Sequence, residues 1–242
     1  MNGAHRRILR KWKSISWQGW WGDYLDVRFH LAEQVRLVPG NRVLDLGCGP
    51  GIVLSEAQDY RPLRVGVETD FAKIAIARRL CPGGEFVCAA WNQLPFQARS
   101  FDLIVLGGMI ELVSDLPAFL QHVWRLLDNG GHLLCTTPNR THWMYQTHVR
   151  MRNVDECETI FGAYAGARVQ GYNPLPSPLF FLPAAIKRRI PNRWLPFIFL
   201  PSPLMAWLPG IEWGLRRLME FPSLSRSCKS IFISVRKSAE PQ

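Results

Sequence analysis

Short runs of β-branched and aliphatic residues alternate along the chain with longer segments whose apolar positions recur three and four apart. This alternation predicts a parallel sheet flanked by helices. Strands are expected at RVLDLG (42–47), LRVGVE (63–68), EFVCA (85–89), FDLIVLG (101–107), HLLCTT (132–137), ARVQGY (167–172) and SIFISV (230–235). Helices are expected over 24–38, after the glycine-rich turn that follows the first strand, over 71–80, near 117–127 and near 154–164. Pro39-Gly40 closes the first helix, and Cys81-Pro82-Gly83-Gly84 and Asp128-Asn129-Gly130-Gly131 read as a break and a turn. Leu25, Phe29 and Leu31 lie at helical spacing and are expected in the core.

Between the last two predicted strands the periodicity fails. Residues 173–226 hold ten of the chain's eighteen prolines among many aliphatic and aromatic residues. Proline every few positions prevents one long helix and favours short helices joined by extended turns. The apolar content argues against disorder, and a connection this long inside an ordered domain is usually functional. The segment therefore reads as a lid or a surface-binding subdomain, with extra core packed on the sheet as the alternative.

Charge sharpens that division. The net charge is +10 and is concentrated at the periphery. Residues 1–22 carry Arg6, Arg7, Arg10, Lys11 and Lys13 with no acid, and the proline-rich segment carries Lys187, Arg188, Arg189, Arg193, Arg216, Arg217 and Arg226 against Glu212 and Glu220. The central part is close to neutral. Basic and apolar residues together point to an anionic membrane surface or a lipid-like partner, with a solvated basic face as the plain alternative. The best candidate for a membrane span, Trp194 to Leu208, is short of about 20 residues and carries three prolines, which argues against an ordinary transmembrane helix. The basic N-terminus is not followed by the apolar run of a secretory signal, so a cytoplasmic location is expected, with peripheral contact to the inner face of a membrane as an option.

With 48% hydrophobic residues the chain has material for a packed core and is not a disordered protein. Its six cysteines form no C-x-x-C pair and read as reduced, mostly buried thiols, without a disulfide framework or zinc site. The histidines show no metal-ligand spacing, and no metal is expected.

The chemistry is signalled by VLDLGCGPGIVL (43–54). Glycines at 47, 49 and 51 between a strand and a helix let the backbone approach a ligand closely, and the helix start offers free N–H groups. The dinucleotide fingerprint uses the same physics, but its sixth position would be Ile52, which is too large for close helix packing. Asp45 on the strand before the turn would repel a pyrophosphate and welcome an ammonium group. Glu68, at the end of the second strand, is placed to accept two hydrogen bonds from a ribose diol.

These blocks, with VGVETD, NQLPFQARSFDLIV and LLDNGGHLLCTTPNR in that order, resemble the class I S-adenosylmethionine-dependent methyltransferases over roughly residues 40–140. The resemblance, closest to a small-molecule or quinone-type branch, implies an α/β, Rossmann-like doubly wound sheet of seven strands with the last antiparallel. It implies S-adenosylmethionine as cofactor, with Asp45 and the turn Gly47, Cys48, Gly49 and Gly51 near its methionine portion, Glu68 on the ribose, Trp91 and Asn92 beside adenine, and Gly107 near the transferable methyl. It divides the chain into an N-terminal basic and aromatic cap (1–38), a cofactor-binding core (39–172 and 227–237) and the proline-rich insert (173–226). Trp20, Trp21, Tyr24 and Arg28 of the cap are candidates for a roof over the cofactor or for interfacial anchoring.

Two positions depart from the family pattern. Ala90 stands where an acid often precedes the adenine loop, and GGMIELVSD after the fourth strand lacks the frequent histidine. Glu111 in that stretch reads as a helix cap or a solvated acid in preference to a base, and no catalytic residue is assigned. The acceptor is expected to be a hydrophobic small molecule or a lipid-like compound, methylated at or near a membrane. A nucleic-acid methyltransferase is disfavoured, because the residues after the fourth strand lack an N/D-P-P-aromatic clamp. A non-catalytic cofactor-binding scaffold is the third reading.

Overall fold

The apolar runs become buried parallel strands. In the computed structural model, which describes residues 31, 32, 34–140, 150–172, 226 and 230–238, they are β1 (Arg42–Leu46), β2 (Leu63–Glu68), β3 (Glu85–Cys88), β4 (Phe101–Gly107), β5 (Leu127–Pro138), β6 (Arg168–Tyr172) and β7 (Ser230–Arg236). Helices are α1 (Ile52–Glu56), α2 (Phe71–Leu80), α3 (Leu116–Leu126) and α4 (Val154–Phe161), and a 3-10 turn spans Trp91–Gln93. The strands form one sheet in the order β3-β2-β1-β4-β5-β7-β6. β1 to β5 run parallel, and β7 is antiparallel to both β5 and β6. The expected seven-stranded Rossmann-like sheet with an antiparallel last strand is therefore what forms.

Both faces of the sheet are covered. One carries α3 and α4 over Leu44, Ile104, Leu106 and Leu133, with Phe119 and Phe161 fully buried. The other carries α1, α2 and the helical segment containing Leu31 and Val35, over Val43, Leu103 and Val105. Leu31 is fully buried, as its spacing predicts; Leu25 and Phe29 lie outside the described residues. Caps fix the helix starts: Asp70 accepts from the Ala72 amide, Asp115 from the Ala118 amide, and Asn153 and Glu156 form a reciprocal capping box.

The strand read as starting at His132 starts earlier. Asp128 to Gly131, expected as a turn, belong to β5, whose pairing with β4 slips from Phe101↔Leu127 to Leu103↔His132. The extra residues are absorbed by a bulge in which Gly130 takes φ +75°. The bulge is paired, not open: the Gly130 amide donates to the Lys237 carbonyl at 3.0 Å and the Lys237 amide to the Gly131 carbonyl at 2.8 Å. The turn residues were legible; their extra partner at the end of β7 was not.

The amino ends of β1 and β4 are clamped by charge. Asp102 accepts from the amides of Asn41 and Arg42 at 2.8 and 2.9 Å, and the Arg42 guanidinium bridges Asp102 and Asp128, both at 2.5 Å. At the opposite, carboxyl edge, β6 and β7 begin and end together. Tyr172 is the register partner of Ser230, and Ser230 is also the partner of Pro138 at the end of β5. Residues 173–229 thus depart from and return to the carboxyl edge of the sheet. The proposed lid role of that segment, and the cap residues Trp20, Trp21, Tyr24 and Arg28, lie outside the described residues. Among the described residues no helix is long and apolar enough to cross a membrane.

Candidate cofactor-binding site

The glycine turn is built where β1 ends. The amides of Gly47 and Cys48 both donate to the Val67 carbonyl, at 2.8 and 2.9 Å, so the turn is tied to β2 next to Glu68. Gly47, Gly49 and Gly51 all have positive φ, which L side chains rarely adopt. A Cβ at Gly51 would come within 2.9 Å of the Ala77 Cβ, so this glycine also lets α1 lie close against α2. Cys48 is buried and its Sγ faces Gly66, leaving its backbone as the part offered to a ligand.

Glu68 sits beside that turn. Its Oε2 accepts from the Gly49 amide at 3.1 Å, while Oε1 accepts from the amides of Thr69 and Asp70 at 2.9 and 3.2 Å. Lys73 on the first turn of α2 approaches both Glu68 (4.0 Å) and Asp70 (3.8 Å). A largely buried carboxylate that accepts several N–H donors keeps further lone-pair positions for hydroxyl donors. Asp45 is fully buried in the middle of the sheet, between its register partners Gly66 and Val105. It lies two residues before the turn.

On the far side of Glu68, β3 leads through Ala89 and Ala90 into the 3-10 turn of Trp91 and Asn92. The Ala89 amide donates to the Glu68 carbonyl at 3.3 Å, which holds this loop next to the carboxylate. The Trp91 ring lies edge-to-face on Phe119, centroids 5.3 Å apart, and near His122 at 6.3 Å, so it fastens the loop to α3. Asn92 is exposed. Phe71, also exposed, stands three residues after Glu68.

The third wall is the end of β4. Gly107 is buried opposite Thr136, and the Gly108 amide donates to the Thr136 carbonyl at 2.9 Å. Met109 reaches back over the turn, its Sδ 3.1 Å from where a Cβ at Gly47 would be. Glu111 is not the solvated or capping acid expected from sequence. It is 6% exposed, its Oε2 accepts from the Thr137 hydroxyl at 3.1 Å, and α3 is capped by Asp115 instead. Ile110 and Val113, both buried, pull the stretch inward and carry Glu111 under the end of β5. Met109 and Thr137 were not singled out from sequence; neither residue type marks a ligand site on its own.

Asp45, the glycine turn, Glu68, the Trp91-Asn92 loop and Gly107 thus all lie at or just before the carboxyl edge, on strands β1 to β4, where ligands of open α/β sheets bind. The turn and Glu68 are held together directly; the other members are aligned by the sheet. Open glycine backbone facing an acceptor carboxylate fits an adenosyl group better than a pyrophosphate.

A model of the "Methyltransferase domain" family matches residues 24–170. The chain belongs to this methyltransferase family. S-adenosylmethionine is the cofactor of such domains, and the residues above fit it. A demethylmenaquinone methyltransferase of Roseiflexus castenholzii is 31% identical over 121 residues, covering 43% of this chain and 49% of that protein. A ubiquinone biosynthesis O-methyltransferase of Acinetobacter baylyi is 28% identical over 143 residues, covering 52% and 60%. The chain spans about half the length of the curated relatives it matches. Among solved structures, an S-adenosylmethionine-dependent methyltransferase of Thermotoga maritima superposes with a TM-score of 0.59 over 98% of this chain and all of that one, at 14% identity, a likeness of fold alone.

Proposed function

We propose that this protein is an S-adenosylmethionine-dependent methyltransferase acting on a hydrophobic small molecule or lipid-like acceptor at a membrane surface. The observation that carries the reading is the hydrogen bond between the Gly49 amide and Glu68, which closes a glycine cradle against a ribose-type carboxylate. In this reading Glu68 accepts the ribose hydroxyls, Trp91 and Asn92 flank the adenine, and the Gly47–Gly51 backbone with Asp45 holds the methionine portion. The bound cofactor supplies a methyl already activated as a sulfonium, so the protein's work is to align the acceptor at Gly107 and to exclude water. The chain needs no strong base for that, and Glu111 is engaged with Thr137.

Two observations support the acceptor class. Two of the similar methyltransferases are named for demethylmenaquinone and for ubiquinone biosynthesis, and the basic, apolar insert leaves the sheet at the edge where the acceptor must arrive. The decisive experiment is calorimetry with S-adenosylmethionine, followed by methyl-label transfer from it into a fractionated cell extract. Binding, with label entering an organic-extractable fraction, is the expected result. No binding by the unmodified chain would overturn the enzyme reading, and label in nucleic acid or protein would overturn the acceptor class.

A further inference from the structure

We infer that a groove beside the ends of β5 and α4 is an oxyanion site that holds a carboxylate or phosphate carried by the methyl acceptor. The inference rests on the methyltransferase reading above. The groove, about 380 Å³, is walled by Arg140, Arg150, Arg152, Glu156, Thr159 and Ile160 among others. Three cations there face one acid. Arg140 is neutralised by Glu156 at 2.7 Å. Among the described residues Arg150 and Arg152 take part in no ion pair, because the nearby acids are engaged elsewhere: Asp155 with Arg226 at 3.0 Å and Glu111 with Thr137.

What separates this cluster from a solvated basic face is its attachment. One guanidinium nitrogen of Arg152 donates to the carbonyls of Ile110 and Arg150, at 3.2 and 3.1 Å, which orients the group without cancelling its charge. The Arg150 amide donates to the Glu111 carbonyl at 3.2 Å and the Arg140 amide to the Arg152 carbonyl at 2.9 Å. The arginine strip is therefore laced to the loops that follow β4 and β5, beside the expected methyl position. The oriented Arg152 guanidinium has donors to spare for the planar or tetrahedral oxygens of a carboxylate or phosphate, and the exposed Arg150 adds a second positive charge beside it. A hydrophobic acceptor with one anionic end would be held by that end and presented by the other.

The test uses the full chain saturated with S-adenosylhomocysteine and inorganic phosphate as probe, followed by phosphorus NMR line width at constant ionic strength. Saturable broadening is expected in the unmodified chain, with affinity about tenfold weaker in Arg150→Gln, the loss of one charge-assisted contact. Arg152→Lys, which keeps the charge and loses the fork, should weaken it less. Absence of saturable binding, or equal binding by the unmodified chain and Arg150→Gln, overturns the site. Calorimetry with S-adenosylmethionine on the same chains before S-adenosylhomocysteine is added separates the two claims. Chains that bind S-adenosylmethionine but not phosphate sink the groove alone, and a chain that binds no S-adenosylmethionine sinks the methyltransferase reading with it. In the label-transfer assay the product should be retained by an anion exchanger at neutral pH, and Arg150→Gln should raise KM while leaving kcat. A neutral product overturns the proposal.

Discussion

The Gly49 amide and the Glu68 carboxylate are joined at 3.1 Å across the ends of two adjacent parallel strands. Either partner alone is commonplace; joined, they set bare backbone beside an anchored carboxylate. Glu68→Ala should weaken S-adenosylmethionine binding by about 10- to 100-fold, the loss of hydrogen bonds to a charged group. Glu68→Gln, which keeps one acceptor, should weaken it less. Calorimetry decides this, with far-ultraviolet circular dichroism confirming that both variants remain folded.

Gly51→Ala should lower stability by about 2–4 kcal/mol, because an alanine there combines an unfavourable φ of +76° with a 2.9 Å approach to Ala77. Urea titration measures it. An equivalent Gly130→Ala, where φ is +75° but no atom lies within 4 Å of the added carbon, should be milder.

The clamp at the opposite edge predicts acid sensitivity. Burial pushes the Asp102 carboxyl up, but the Arg42 guanidinium and the amides of Asn41 and Arg42 outweigh it and hold the group below its ordinary value. A carboxyl depressed on folding stabilises the fold above its unfolded pKa, and that contribution disappears as the pH falls through the folded one. The loss therefore falls below about pH 4. Asp102→Asn should be less stable at pH 7 by about 1–3 kcal/mol and should show a flatter decline on acidification, read from unfolding midpoints at several pH values.

Thiol labelling should report the burial pattern. Burial pushes Cys157 up to about 12 and Cys135 well above its ordinary value, and Cys48 and Cys81 are enclosed as well. Among the described cysteines Cys88 alone is exposed. In a Cys228→Ser background, a disulfide reagent at pH 8 should modify one thiol quickly and the rest only on denaturation. Two or more fast thiols would contradict the packing.

Anionic vesicles should pull down the full chain and neutral vesicles should not, with the association weakening as salt rises. Neutralising Lys187, Arg188 and Arg189 together should reduce it. Equal sedimentation with both vesicle types would remove electrostatics from the membrane reading.

Most of the fold was legible because each strand between buried faces is a short apolar run with its own punctuation. Leu63–Glu68, Phe71–Leu80 and Phe101–Gly107 fall where the pattern puts them. The bulge at Gly130 was not, because a glycine-rich stretch carries the same local signal whether it turns or pairs, and its partner Lys237 is remote in sequence. At the site, the glycines and Glu68 announced themselves through spacing and conformational need. Glu111 misled, since an acid near a helix start is ordinarily capping or wet, and only the fold shows Thr137 waiting for it. The Arg150–Arg152 strip was equally silent: three arginines scattered over thirteen positions (140, 150 and 152) mean nothing until the β5 end brings them to one groove.

The pairing of Tyr172 with Ser230 has a practical corollary. Whatever residues 173–229 do, they are spliced into what is otherwise a plain hairpin, with both ends fixed on neighbouring strands. Loop-closure entropy grows only slowly with length, so such an excursion can be lengthened, shortened or exchanged at little expense to the sheet. In the reading proposed above, where the insert meets the acceptor, grafting another segment between those two residues should redirect what is methylated without touching how the cofactor is held.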